Sequence, residues 1–233
     1  MTRWTAIVVA AGRGVRFGRP KQLVQLGGVP LVAWSVSTFA RMTEIERIVV
    51  VTEREWLAEM REAVNAVSAR AVEVVEGGRT RQESVRAGLA AAGPCDAVLV
   101  HDGARPLVRA DDVRAAMAHV RSGRGAILAS PAVDTVKIVD PTTHVVRETP
   151  DRANMWMAQT PQLAMLEDFA GAHERALADA FEGTDDAMLL ERIGVEVVAV
   201  ASSGENFKIT TPEDLLRASA LREVAEAPLR RLG

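Results

Sequence analysis

Short apolar runs alternate with helix-period stretches along most of the chain. Trp4–Ala10, Ile48–Thr52, Val72–Val75, Ala97–Val100 and Ala126–Ser130 are apolar throughout rather than at every second position. That is the pattern of strands buried on both faces of a parallel sheet. Between them, Leu31–Phe39, Glu53–Val67, Thr80–Ala92 and Ala110–Ser122 read as helices, and Trp56, Leu57, Met60, Val64 and Val67 recur at helical spacing. The alternation predicts an α/β fold, a doubly wound, mostly parallel sheet with right-handed crossovers. Ligands of such sheets bind beyond the carboxyl ends of the strands, so the residues that follow each strand are the place to look for chemistry.

The alternation breaks near Pro131. Thr135–Val139, a turn at Asp140–Thr143 and Val145–Arg147 read as a hairpin within Asp134–Glu148. It is either an excursion from the main sheet, such as an arm that packs on a partner, or an edge hairpin of the same domain. An apolar run at Met155–Gln159 follows, then helices at Ala164–Ala178 and Thr184–Ile193, a strand at Val195–Ala201, a short strand at Phe207–Thr210 and a last helix from Pro212 that frays over Arg222–Gly233. With 233 residues the chain suits one domain.

Composition narrows the function. A net charge of −3 argues against a broad grip on nucleic acid or an anionic membrane. No apolar run is long enough to span a bilayer, and no signal-type junction follows the first apolar run, so a cytoplasmic protein is expected. The one cysteine, Cys95, permits no intrachain disulfide and no cysteine metal cluster. Of 28 basic residues only Lys21, Lys137 and Lys208 are lysine. A chain that uses arginine almost everywhere keeps lysine where a compact ammonium is wanted.

Three post-strand segments stand out. Ala10-Ala11-Gly12-Arg13-Gly14-Val15-Arg16-Phe17-Gly18-Arg19-Pro20-Lys21 is glycine-rich and strongly basic, suited to backbone and side-chain contacts with a triphosphate. It is neither a Walker loop nor the dinucleotide fingerprint, because its glycines are misplaced for both. Gly77-Gly78 leads into Thr80 and Ser84, which fits either a nucleotide edge held at a helix start or an ordinary capped turn. His101-Asp102-Gly103-Ala104-Arg105 places an acid at a strand end. Asp102 suits Mg²⁺ or a substrate hydroxyl, or equally a cap or an ion pair with Arg105. His101 is expected to be packed and hydrogen-bonded rather than catalytic.

Together these blocks resemble the nucleotide-binding signature of sugar-phosphate nucleotidyltransferases. More narrowly, the chain resembles the 2-C-methyl-D-erythritol 4-phosphate cytidylyltransferase family. The resemblance runs from Ala6 to about Leu215 and includes Arg81, Ser84-Val85, Asp134-Thr135-Val136-Lys137, Asp151-Arg152, Trp156, Gln159-Thr160-Pro161-Gln162, Thr184-Asp185-Asp186 and Asn206-Phe207-Lys208. Val9, Arg79 and Gly103 depart from the common pattern, where proline, an acid and alanine are frequent.

The resemblance implies attack of a sugar-alcohol phosphate on the α-phosphorus of CTP, with a divalent cation, normally Mg²⁺. It implies catalysis by Arg16, Lys21 and Lys208. It assigns nucleotide contacts to Ala10, Ala11, Gly12, Gly14, Gly78, Ser84 and Asp102, with Asp102 also the best metal candidate. Arg105, Thr135, Arg152, Thr160 and Thr184 would contact the sugar-alcohol phosphate or shape its pocket. Residues 134–155 would be the arm of a homodimer, bringing Thr135 and Arg152 to the neighbour's site, while Lys137 supports the arm. The physical logic is that of one anion attacking another, which preorganised cations offset. Two other readings remain: a sister cytidylyltransferase acting on ribitol 5-phosphate, and a non-catalytic nucleotide-binding module on the same fold.

Overall fold

A computed structural model of the protein describes residues 2–12 and 20–230, with side chains as far as Leu221. Its central sheet holds seven strands: β1 (Trp4–Val9), β4 (Ile45–Thr52), β5 (Val72–Glu76), β6 (Ala97–Asp102), β7 (Arg124–Pro131), β10 (Trp156–Met165) and β11 (Glu196–Ala201). They lie in the order β11-β7-β10-β6-β1-β4-β5. Neighbours pair in parallel except β10, which runs antiparallel to both β6 and β7. The doubly wound, mostly parallel sheet expected from the apolar runs is therefore present.

Every residue of β1 and β6 is buried, because helices cover both faces. Ala6 and Val8 of β1 point into one apolar cluster, and Ile7 and Val9 into another. The first cluster receives Val36 and Phe39 of α1 (Leu31–Ala40), Met60 and Val64 of α2 (Leu57–Asn65), and Val113 and Ala116 of α4 (Ala110–Met117). The second receives Val85 of α3 (Arg81–Ala90), Phe169 and Ala172 of α5 (Leu166–Ala178), and Leu189 and Leu190 of α6 (Asp186–Arg192). A third, small cluster joins Leu26, Leu31, Ile209 and Ala218. It packs the hairpin β2 (Gln25–Leu26) and β3 (Val29–Pro30) against α7 (Pro212–Arg230).

Four sequence expectations need correction. Ala164 and Met165 are not helical. They pair with Val98 and Ala97, so the strand that begins near Trp156 runs on to the start of α5. Phe207–Thr210 forms no strand; it is an extended segment held by Ile209 N–H donating to the Ala104 carbonyl at 2.8 Å. Helix α4 stops at Met117 rather than Ser122 because the chain must turn through Arg121 and Gly123 to reach β7. The stretch from Glu53 begins with a 3₁₀ turn at Arg54–Trp56 before α2 starts.

The segment after Pro131 stands apart from the main sheet. Strands β8 (Ile138–Val139) and β9 (Val146–Glu148) form their own two-stranded sheet, an excursion from the main one. Asp140 organises the turn, accepting from Thr143 N–H at 2.8 Å and pairing with Arg147 at 2.8 Å. The hairpin and its flanks expose apolar side chains, Val133 to 82% and Val145 to 56%.

Gly88 shows how closely α3 lies on the sheet. A Cβ there would stand 2.4 Å from Ile7 Cγ2. Helix propensity alone gives Gly88→Ala a gain of about 1 kcal/mol, whereas crowding against β1 predicts a loss of about 1–3 kcal/mol. Urea unfolding of the variant decides between them, and a stability gain would contradict the packing described here.

Candidate functional site

The sheet changes winding direction between β1 and β6, since the chain passes from β1 outward to β4 and β5 and then returns to the other side of β1. A crevice opens at such a point beyond the strand ends. Three backbone hydrogen bonds knit its floor: Ala10 N–H to Val51 O at 2.7 Å, Gly77 N–H to Thr52 O at 2.7 Å and Gly103 N–H to Val9 O at 2.9 Å. The resulting cleft measures about 810 Å³, and Ala11, Gly12, Lys21, Gly78, Ser84, Asp102 and Lys208 all line it. The described parts of the three post-strand segments singled out in the sequence thus meet in one place.

Asp102, the last residue of β6, is the electrostatic centre. Lys208 Nζ lies 2.8 Å from its Oδ2 and Arg81 Nε 3.2 Å from its Oδ1, while Arg105 Nε stands 3.8 Å from Oδ2. Burial alone would push this carboxyl up. Lys208 and Arg81 outweigh that and hold it well below the usual carboxylate range. Burial lowers the Arg105 guanidinium despite Asp102 beside it. Arg81 is raised, because the Asp186 and Asp102 carboxylates overcome its desolvation.

Two hydrogen-bonded clamps fix this cluster. In the first, Asp102 N–H donates to Thr160 Oγ1 at 3.0 Å, and Thr160 Oγ1 lies 3.1 Å from His101 Nδ1. His101 Nε2 is 3.0 Å from the Arg105 carbonyl. A carbonyl only accepts, so Nε2 carries the proton and Nδ1 accepts from the threonine hydroxyl. Phe39 meets the His101 ring edge-on, and burial pushes the imidazole down to about 4. His101 is therefore a neutral, packed strut, as the sequence suggested. In the second clamp, the fully buried Asn206 side chain donates to Gln159 Oε1 and to the Thr160 carbonyl, both at 2.9 Å, and the Asn206 backbone carbonyl accepts from Arg105 at 2.8 Å. This fixes the backbone two residues before Lys208.

One wall of the cleft is built by α3 and the turn before it. Thr80 caps the helix, accepting from Glu83 N–H at 3.1 Å, with the Glu83 carboxylate returning to Thr80 N–H. The capped-turn reading of Thr80 is correct. Ser84 Oγ donates to the Thr80 carbonyl at 2.9 Å and accepts from Gly78 N–H at 3.2 Å. A Cβ on Gly77 would sit 2.7 Å from Ser84 Oγ, and one on Gly78 2.2 Å from Glu83 Cβ, so this turn admits only bare backbone.

The remaining expected residues separate into groups. Gly14 and Arg16 lie outside the described residues. Ala10 is buried directly behind the cleft. Thr160 lies behind Asp102 as part of the first clamp rather than on the cleft wall. Thr184 is exposed just before α6, its hydroxyl directed at Met188 Sδ. Thr135 and Arg152 are exposed on the protruding segment, where Arg152 donates to the Val133 carbonyl at 2.8 Å. None of these three lines the cleft of their own chain. Arg81, Gln159, Asn206 and Asp186 were seen in sequence only as matching letters. Arg81 had a physical signal, since a cation at the first position of a helix opposes the helix dipole.

Among the described residues, no group of three His, Cys, Asp or Glu side chains is placed to hold a metal ion. Both Asp102 oxygens already face cations. A divalent ion would therefore be carried mainly by phosphate oxygens and water, with Asp102 reaching its hydration shell, an arrangement usual for Mg²⁺. No helix among the described residues is long and apolar enough to cross a membrane.

Comparison with known proteins agrees with this geometry. Residues 4–223 match the family model described as 2-C-methyl-D-erythritol 4-phosphate cytidylyltransferase. A protein of that name from Geobacter metallireducens is 42% identical over 223 residues, covering 92% of this chain and 95% of the relative. One from Dictyoglomus thermophilum is 39% identical over 219 residues, covering 93% and 95%. The crystal structure of 4-diphosphocytidyl-2C-methyl-D-erythritol synthase from Anaerococcus prevotii superposes with a TM-score of 0.86 at 30% identity, covering 95% of this chain and 96% of that one.

The neutral strut makes a pH prediction. A histidine that titrates near 6.5 unfolded and about 4 folded contributes stability that is present above 6.5 and is lost as pH falls through the folded value. The contribution is about 3 kcal/mol. Urea unfolding at pH 7 and pH 4.5 should show His101→Gln losing less stability over that interval than the wild type. Equal losses in the two proteins would contradict a buried, neutral His101.

Proposed function

The chain belongs to the 2-C-methyl-D-erythritol 4-phosphate cytidylyltransferase family, and from that membership we infer how its residues divide the reaction. The enzyme is a nucleotidyltransferase of the non-mevalonate route to isoprenoids, joining CTP to 2-C-methyl-D-erythritol 4-phosphate with release of pyrophosphate. A phosphate oxygen of the sugar alcohol forms a bond to the α-phosphorus of CTP. The bond from that phosphorus to the β-phosphate oxygen breaks, and pyrophosphate departs with the electron pair. No general base is required, because a phosphate monoester is largely ionised at neutral pH.

Lys21 and Arg16 act on the triphosphate from the glycine-rich segment, and Lys208 acts from the opposite wall. Their cationic charge offsets the repulsion between the two phosphates and the charge that builds on the leaving group. The observation that carries this reading is the placement of Lys21, Gly12, Gly78, Asp102 and Lys208 on one cleft at the sheet's switch point. Ala10, Ala11, Gly12 and Gly14 offer backbone to the phosphates, Gly78 and Ser84 face the cytosine, and Asp102 orients the ribose. Mg²⁺, when bound, neutralises phosphate charge, with Asp102 the carboxylate that would reach its water shell.

Arg105 supports the sugar-alcohol phosphate from beside Asp102, with Thr160 behind Asp102 and Thr184 shaping the pocket from the segment before α6. Thr135 and Arg152 belong to a second copy's site. Their distance from the cleft wall of their own chain and the bare Val133, Val145 and Val146 of the arm support a homodimer. A cytoplasmic enzyme follows from this reading.

Pyrophosphate release tests the function. It should require CTP together with the methylerythritol phosphate. Release with ribitol 5-phosphate instead would move the chain to the sister activity, and no release with either would end the enzyme reading. Lys21→Ala and Arg16→Ala should each lower kcat by about 10²-fold or more, and wild-type turnover in either would remove it from catalysis. Arg152→Ala should raise the KM for the sugar-alcohol phosphate well above any change in the KM for CTP. Equal changes would separate Arg152 from that substrate.

A further inference from the structure

Arg81 breaks a local rule. It is the first residue of α3, where a positive charge meets the positive end of the helix dipole. Two carboxylates from distant parts of the chain offset that cost. Arg81 Nε lies 3.2 Å from Asp102 Oδ1, and Arg81 Nη1 lies 2.8 Å from Asp186 Oδ2. The guanidinium lines the cleft and is about one-third exposed, whereas Asp186 is 1% exposed and does not reach the cleft.

Asp186 is held by its backbone and by two side-chain partners, its Oδ2 meeting Arg81 as an ion pair rather than a hydrogen bond. Its backbone N–H and that of Ala187 donate to Gln162 Oε1, both at 2.9 Å, and Gln162 Nε2 donates to Asp185 at 2.9 Å. Its Oδ1 lies 3.2 Å from the buried His173 Nε2. A charge this deeply buried is costly unless it is paired, and Arg81 is the cation that pairs it. Asp102 in turn accepts a hydrogen bond on each oxygen, from Arg81 on Oδ1 and from Lys208 on Oδ2, with Arg105 farther off at 3.8 Å from Oδ2. With both oxygens engaged, its carboxylate plane is fixed, and so is the point at which the Lys208 ammonium stands.

We propose that Asp186 and Arg81 form a positioning unit for nucleotidyl transfer: Asp186 anchors the Arg81 guanidinium, which locks the Asp102 carboxylate and thereby places Lys208. The unit rests on the cytidylyltransferase reading above. A lysine at position 81 keeps the charge but is a point donor that cannot bridge two carboxylates as a guanidinium fork does. A small displacement of a reacting group is enough to slow chemistry substantially.

The test is a cycle of Arg81→Lys, Asp186→Asn and the double variant, reading pyrophosphate release per folded molecule together with Tm. Each single variant should lower kcat by about tenfold or more. Because Asp186 acts through Arg81, the double variant should fall no more than about twofold below Arg81→Lys alone. Additive losses would overturn the proposal. So would a lowered Tm in Asp186→Asn with wild-type kcat, which is the signature of a purely structural acid. Should Asp186→Asn not fold, Arg81→Lys still decides, and wild-type kcat in that variant overturns the unit. A wild-type protein with no pyrophosphate release overturns the underlying reading as well. An active wild type with unchanged variants overturns the positioning unit alone.

Discussion

One buried carboxylate organises this protein's site. Asp102 ends a central strand with nearly all of its surface removed from water, a position in which an unpaired charge would cost several kcal/mol. The chain meets that constraint with three cations carried by separate segments: Arg81 at the start of a helix, Arg105 in the loop that follows the strand, and Lys208, 106 residues beyond Asp102. Each cation is drawn to the strand end by the same carboxylate. Of the three, Arg81 and Lys208 also line the cleft. Stability and function here share one electrostatic solution.

The scaffold makes that solution rigid. Parallel strands buried on both faces bring β1, β4, β5 and β6 to a common edge, and helices on either side prevent the edge from shifting. Behind Asp102, the neutral imidazole of His101 and the hydroxyl of Thr160 satisfy each other and the backbone. Behind Lys208, Asn206 ties its segment to Gln159 and Thr160. Buried hydrogen bonds of this kind favour one geometry, since a shift forfeits them where water cannot replace them. On the proposed reading, cations preorganised in this way need little rearrangement when the phosphates arrive, which is the property electrostatic catalysis requires.

Much of the fold was legible because continuous apolar runs such as Ile48–Thr52 and Ala97–Val100 carry an unambiguous signal for doubly buried strands. The strand rule then pointed directly to Gly12, Gly78 and Asp102. Periodicity failed where a segment is neither helix nor strand by its own preference. Ala164 and Met165 are held in a strand by pairing with β6, and Phe207–Thr210 is extended without a ladder because its partner is the loop at Ala104. The rarity of lysine was a useful clue for Lys21 and Lys208. It carried less for Lys137, which donates to Thr149 on the arm. The bridge from Asp102 through Arg81 to Asp186 was invisible, since no spacing rule links residues so far apart. Only the misfit of a cation at a helix start hinted at it.

The central role of Asp102 is most directly tested by Asp102→Asn, which keeps the size and removes the charge. The account predicts that pyrophosphate release per folded enzyme falls by at least about 10²-fold, because Lys208, Arg81 and Arg105 lose the anion that arranges them. Turnover at the wild-type rate in a folded Asp102→Asn protein would contradict it.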